Sequence, residues 1–240
     1  MWMICKKEWN AFFGSLTGYI SIIIFLLLSG LLFFVFPDTG LLYYGYASMN
    51  SFFVNIPWIL LFLIPTITMR SLADEFRTGT FEVLKTLPLT NKEIVNGKFW
   101  GALFIVALAL LPTVCYAFTL QHLSSTNGID WGSTIGSYIG LLFLSAAFTA
   151  AGICCSSFTN NTVVAFVAAA FICFLLYSGF EALSRLPVFK GHWDYYIEML
   201  GINFHYKNIS RGVVDTRDVV YFISVCWLLL FITQKNISKK

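Results

Sequence analysis

The stretch Tyr19-Ile-Ser-Ile-Ile-Ile-Phe-Leu-Leu-Leu-Ser-Gly-Leu-Leu-Phe-Phe-Val-Phe36 contains no charged side chain over 18 residues. At a rise of about 1.5 Å per residue, roughly 20 apolar residues cross a hydrocarbon core of about 30 Å. Working outward from this run, five more segments meet that length or approach it: Phe52 to Met69, Phe99 to Leu120, Ile135 to Ser156, Val163 to Phe180 and Val219 to Ile232. None of the six holds Asp, Glu, Lys, Arg or His, as expected where one charge at mid-bilayer costs at least about 2.5–3.5 kcal/mol. The last run is the shortest, and tilt of its neighbours or local thinning would have to absorb the mismatch. The fold class expected is all-α, a polytopic membrane protein of six transmembrane helices forming one domain over residues 1–240.

Composition agrees with a chain solvated mainly by lipid. Of 240 residues, 58% are hydrophobic, 18% aromatic and only 11% charged, and the mean hydropathy is +0.77, far from the globular balance of about half apolar and a quarter charged. The formal charge of +3 gives no sign of nucleic acid as a partner. Its meaning lies in where the 15 Lys and Arg sit. They occur as Lys6 and Lys7 before the first span, as Arg70, Arg77, Lys85, Lys92 and Lys98 after the second, and as Lys235, Lys239 and Lys240 in the tail. Five more, Arg185, Lys190, Lys207, Arg211 and Arg217, lie in the loop before the last span. With both termini inside, ten basic residues face the cytoplasm against five outside, so the positive-inside rule selects that orientation in the inner (plasma) membrane.

Residues 1–18 carry Lys6, Lys7 and Glu8 ahead of the first apolar run. The run exceeds a signal-peptide core of about 7–15 residues and no small-x-small cleavage site follows, so it should remain as an anchor. Trp2, Cys5, Trp9, Phe12, Phe13 and Leu16 recur at helical spacing opposite Lys6, Lys7 and Asn10, the pattern of an interfacial helix. Five of the six cysteines, Cys115, Cys154, Cys155, Cys173 and Cys226, fall inside spans without a C-x-x-C pair, and read as soft apolar side chains. The fourth span carries Gly136-x-x-x-Gly140 and a run of small residues to Gly152, a seam for close helix contact within the subunit or between two copies. Pro57, Pro65 and Pro112 each remove an internal hydrogen bond and should kink their helices.

The segment 70–98 holds a definite order of helix signals. Arg70 to Thr78 can extend the second span, Gly79 stops it, Thr80 is an N-cap, Pro88 ends a short helix from Phe81 to Leu87, and Thr90 with Glu93 forms a capping box. A helix of about two turns held between sharp turns, carrying Phe81, Val83, Leu84 and Leu87, has the form of a coupling helix, a rigid handle on which an ATPase could push.

The run Glu75-x3-Gly79-Thr80-x-Glu82-x-Leu84-x3-Pro88, followed by Gly97-Lys98-Phe99, resembles the first cytoplasmic loop of ABC-2 type permeases. Ser210 to Asp218 before the last span also resembles theirs. Phe36-Pro37, Gly45-Tyr46-Ala47-Ser48, Thr66 to Ser71 and Ser133 to Leu144 are similar to the gliding-motility-associated ABC transporter permease subunit of Bacteroidetes. The resemblance implies a transport subunit with export as its expected direction, a separate ABC ATPase gripping the coupling helix, and a second permease copy or a related membrane subunit with a periplasmic domain. Membrane lipid is the surrounding partner. Glu75, Gly79, Thr80, Phe81, Glu82, Leu84 and Pro88 are the residues it implies for ATPase coupling. The chain itself carries no G-x-x-x-x-G-K-[ST], so no ATPase site, cofactor or metal is expected in it.

Two other classes compete. A membrane enzyme acting on lipid or envelope substrates would have to work through the outer loop, residues 181–218, since the spans offer no nucleophile–base set and no G-x-S-x-G occurs. His192 and His205 in that loop lack the spacing of helical metal ligands, and Trp193 to Leu200 can lie as an amphipathic helix at the interface. A channel or ion-coupled carrier should show carboxylates within the membrane, and the spans have none.

Overall fold

Four of the helices start where a short polar side chain takes up orphan backbone N–H groups. In the computed structural model, which describes residues 1–36, 48–86, 88–124, 128–187, 191 and 194–239, Ser15 accepts from Gly18 N at the head of α2 (Leu16–Phe34). Asp130 accepts from Gly132 and Ser133 ahead of α8 (Trp131–Phe158), and Asn161 from Val163 ahead of α9 (Thr162–Phe174). Thr90 and Glu93 form the expected reciprocal capping box on α6 (Asn91–Leu110). The described residues are helical with no strand, and six helices are long and apolar enough to cross a bilayer.

The remaining elements are α1 (Trp2–Phe13), α3 (Asn50–Thr68), α4 (Ala73–Thr78), α5 (Thr80–Thr86), α7 (Val114–Leu123), α10 (Phe180–Ser184), α11 (Asp194–Met199), α12 (Ile202–Ser210) and α13 (Thr216–Lys239). Helix α8 is the axis. It packs against α3, α6, α9, α12 and α13, and 18 of its 28 residues are buried.

Several expectations change in detail. The short sixth run is the middle of a 24-residue helix whose ends are polar. At 1.5 Å per residue it is about 36 Å long, so the backbone spans without the mismatch that its 14 apolar residues suggested. At Pro112 the third span passes through a 3₁₀ turn, Leu111–Thr113, between α6 and α7, whereas α3 stays helical through Pro57 and Pro65. Pro57 has no N–H for the carbonyl of Phe53, and the hydroxyl of Tyr206 donates to that carbonyl instead at 2.7 Å. The fifth span ends in a π-helical turn, Leu175–Gly179, which sequence periodicity did not indicate.

The small-residue seam of α8 packs inside the subunit: a Cβ on Gly136 would stand 2.8 Å from Gly212 Cα, and one on Gly140 3.3 Å from Tyr206. Helix α1 buries Ile4 and Cys5 and leaves Trp2 exposed, because it lies on α6 where Gly97-x-x-x-Gly101 leaves room. A Cβ on Gly97 would stand 2.9 Å from Ile4 Cβ, and one on Gly101 3.0 Å from Glu8 Cβ.

Both termini lie at one end of the bundle, the end formed by residues 70–99: Ile237 packs with Leu72, Phe81, Val95 and Phe99, and Asn236 donates to the Ser157 carbonyl at 2.8 Å. At the other end α12 tucks Ile202, His205, Tyr206 and Ile209 inward. Helix α11 leaves Tyr195 and Tyr196 exposed; His192 and Trp193, the latter the start of the amphipathic helix expected there, lie outside the described residues.

Candidate functional site

The chain leaves α3 through a tight corner that α8 holds in place. Ser156 Oγ accepts from the backbone N–H groups of Leu72 (3.1 Å) and Ala73 (2.9 Å) and donates to the Met69 carbonyl (3.2 Å). One hydroxyl thus satisfies two donors at a helix start that would otherwise be orphaned in a buried place. Helix α4 then runs to Gly79, whose φ of 72° and ψ of 1° are left-handed. Glycine meets no Cβ penalty there. Gly79→Val should therefore cost about 1–2 kcal/mol, the strain of a side chain in that region, read as a lowered unfolding midpoint. Nothing lies within 4 Å of the added Cβ, so a clash would not confuse the result.

Helix α5 follows at once. Thr80 is its first residue rather than the cap expected, and its hydroxyl meets that of Thr78 at 3.0 Å. The reason is geometric: the turn at Gly79 closes tightly enough for the Gly79 carbonyl to accept from Glu82 N at 3.3 Å. Phe81 is buried beside Leu72, Val95, Phe99, Ile153 and Ile237, and its ring meets Phe76 edge-on at 4.8 Å. Leu84 is buried with Ile4 and Ile94. Gly79, Thr80, Glu82 and Pro88 are exposed, and so is Val83, at 67%. Leu87 lies outside the described residues. The seven residues singled out from sequence therefore divide into an anchoring set, Glu75, Phe81 and Leu84, and a set facing away from the bundle.

Glu75 leads to a centre that the sequence did not reveal. Lys98 has no exposed side-chain surface, and its Nζ has three oxygens around it: Glu8 Oε1 at 2.7 Å, Glu75 Oε2 at 2.9 Å and the Ser71 carbonyl at 2.6 Å. Glu75 Oε1 in turn accepts from Lys7 Nζ at 2.7 Å. Two cations and two carboxylates cancel, which is what allows such groups to be buried. They join α1, α4 and α6, which local sequence signals do not connect. The signals that could have found them were Gly97-x-x-x-Gly101, which brings α1 close, and a lysine one residue from the start of an apolar run. Close by, burial and the carboxylate of Glu8 push the Cys5 thiol above its ordinary range, which leaves it a packing group rather than a reactive one.

The other end of the bundle has a second buried pair. His205 Nδ1 stands 2.6 Å from Asp218 Oδ1 and its Nε2 2.9 Å from the Met199 carbonyl. The ring lies flat on Tyr221, centroids 3.9 Å apart. Both ring nitrogens face oxygens, so the ring is held at both edges. The spacing of this histidine thus serves to bind α12 to the start of α13.

Residues 2–186 match the family described as ABC-2 family transporter protein. The chain belongs to that family. As an ABC-2 chain it is a multi-pass membrane permease subunit of an ABC transporter, and the family implies an ABC ATPase as partner. The match covers five of the six membrane-crossing helices together with the α4–α5 segment and Lys98. It ends before α12 and α13. A search of the curated proteins finds no match to this ABC-2 chain.

Proposed function

We propose that α5 of this ABC-2 permease is the point at which its ATPase docks, and that the ion cluster at Lys98 passes the push to α1 and α6. The observation that carries the proposal is the division of α5 into two faces. Phe81 and Leu84 fix it to the bundle, while Glu82, Val83 and Lys85 are exposed at the end that holds both termini. An exposed apolar side chain ringed by charges on a short, rigidly held helix is suited to a partner's pocket. In this proposal the 70–98 segment and both termini are cytoplasmic, in the inner membrane, as the ten-to-five distribution of basic residues favours.

Glu75, Phe81 and Leu84 would transmit force inward. Gly79, Thr80, Glu82 and Pro88 would shape the surface that is gripped. Export, or work on an envelope component in a gliding-type complex, is the direction we infer from the sequence resemblance, with a second permease copy or a membrane subunit carrying a periplasmic domain completing the core. An enzyme acting through the outer loop is less favoured, because His205 and Asp218 are both buried against protein.

Val83→Asp combined with Glu82→Lys should leave the permease folded, since both positions are exposed. It should lower co-purification of the ATPase with tagged permease at least tenfold, about 1.4 kcal/mol of docking energy. Unchanged recovery of the ATPase with the double variant would overturn the proposed docking site.

A further inference from the structure

Beneath α1 a cavity of about 370 Å³ opens between that helix, the start of α2 and the corner after α3. Its polar wall includes Lys7, Glu8, Asp74, Glu75 and Arg70. The three carboxylates already have cations: Glu8 is paired with Lys98, Glu75 with Lys7 and Lys98, and Asp74 with Arg77 at 2.7 Å. Arg70 is left over. Its Nη1 donates to Thr17 Oγ1 at 3.1 Å, and among the described residues it forms no ion pair. One guanidinium in excess, next to the hydroxyls of Ser15, Thr17 and Ser21, suits a single negative charge carried on oxygen, and a phosphodiester presents its oxygens in the geometry the guanidinium fork matches.

A second, apolar groove of about 160 Å³ lies between α2 and α3, and Ser21 and Thr66 line both spaces. Its floor is formed by buried Phe25 and Leu63, and Ile24, Leu28 and Phe62 flank it with exposed side chains. From Ser21 to Leu28 α2 rises about 10 Å, away from the polar cavity and toward the middle of the bilayer. Free phosphate would use the first space and leave the second empty. A molecule that joins a phosphate to a hydrocarbon chain fills both.

We propose that this notch binds one anionic glycerophospholipid, its phosphate on Arg70 and the neighbouring hydroxyls and one acyl chain in the α2–α3 groove. The cavity reaches Thr80 at the head of α5, but Arg70 and the α2–α3 groove, which hold the phosphate and the chain, lie outside α5, so lipid binding is read without the ATPase present. Native mass spectrometry of the full-length protein in detergent, titrated with phosphatidylglycerol, should show one lipid retained at concentrations where other copies are lost. Arg70→Gln should weaken that binding roughly tenfold, the effect of one charge-assisted contact. Ile24→Trp, at a side chain that is 52% exposed, should do so by filling the groove, and it carries the test if Arg70→Gln folds poorly. Diacylglycerol of the same chain length and inorganic phosphate should each bind at least tenfold more weakly. Three results would overturn the proposal: phosphatidylglycerol retained equally by the wild type and Ile24→Trp, displacement of the lipid by inorganic phosphate at equal concentration, or equal retention of diacylglycerol.

Discussion

Lys98→Ala should be among the most damaging single substitutions in this chain, lowering the free energy of unfolding in mixed micelles by about 3–5 kcal/mol, the usual cost of removing one partner from a buried ion pair. The lysine side chain is fully enclosed, and Glu8 and Glu75 are 19% and 10% exposed. Without the ammonium, Glu75 keeps Lys7, itself half exposed, whereas Glu8 loses the partner it has at 2.7 Å and the Ser71 carbonyl loses its donor. Lys98→Arg is no remedy, because a planar fork cannot occupy a site shaped for three oxygens around one nitrogen. The triple variant Lys98→Met, Glu8→Gln, Glu75→Gln removes the charges together and should recover most of the loss. A midpoint for Lys98→Ala equal to that of the wild type would contradict the burial described for this group. Transport should respond more sharply than stability: in the triple variant the helices are again packed but no longer tied by charge, so ATPase docking should persist while coupled transport falls.

At the opposite end, His205→Leu should cost about 3 kcal/mol or more by the same physics. Asp218 Oδ2 is buried with no hydrogen-bond partner even in the intact protein, so removing the imidazole strands the whole carboxyl group. The stacked Tyr221 ring would lose its neighbour at 3.9 Å, and the Met199 carbonyl its donor. Limited proteolysis should then cut between residues 185 and 215 faster than in the wild type, alongside the lowered midpoint. Replacing both members, His205→Leu with Asp218→Leu, should restore much of the stability, which separates the cost of a stranded carboxyl from the value of the pair. Wild-type protection from protease in the single variant would show that α12 is held mainly by Tyr206 and Ile209.

Much of the architecture could be read along the chain because lipid enforces a simple rule. Backbone polar groups must be satisfied within each span and charges must stay at the ends, so six uncharged runs gave six helices. The start of α5 could be read from Gly79 to within one residue, and the start of α6 from the Thr90–Glu93 box, both local chemistry. What stayed hidden was contact between distant segments. Lys98 looked like one more basic residue of a loop, although its partners are 23 and 90 positions away. Ser156 lay unremarked in a row of small residues, yet it seats the corner at Leu72 and Ala73. The small seam at Gly136 and Gly140 was visible, but periodicity shows that a face is narrow without showing what fills it. The polar ends of α13 misled in the other direction, since hydropathy counts a residue such as Asp218 as loop whether or not its backbone is helical.

The ion cluster also sets an order on synthesis. Glu8 and Lys98 are 90 residues apart, so at about 5–20 residues per second roughly 5–20 s separate their appearance. The amino-terminal helix is thus made first but secured only when the third span begins: until then Glu8 and Glu75 lack the buried cation that neutralises them, and α1 has no Gly97–Gly101 groove to settle into. For the earlier part of that interval, until residue 75 has been made, Lys6 and Lys7 are unencumbered, free to act on the orientation of the nascent chain before Lys7 is taken up by Glu75.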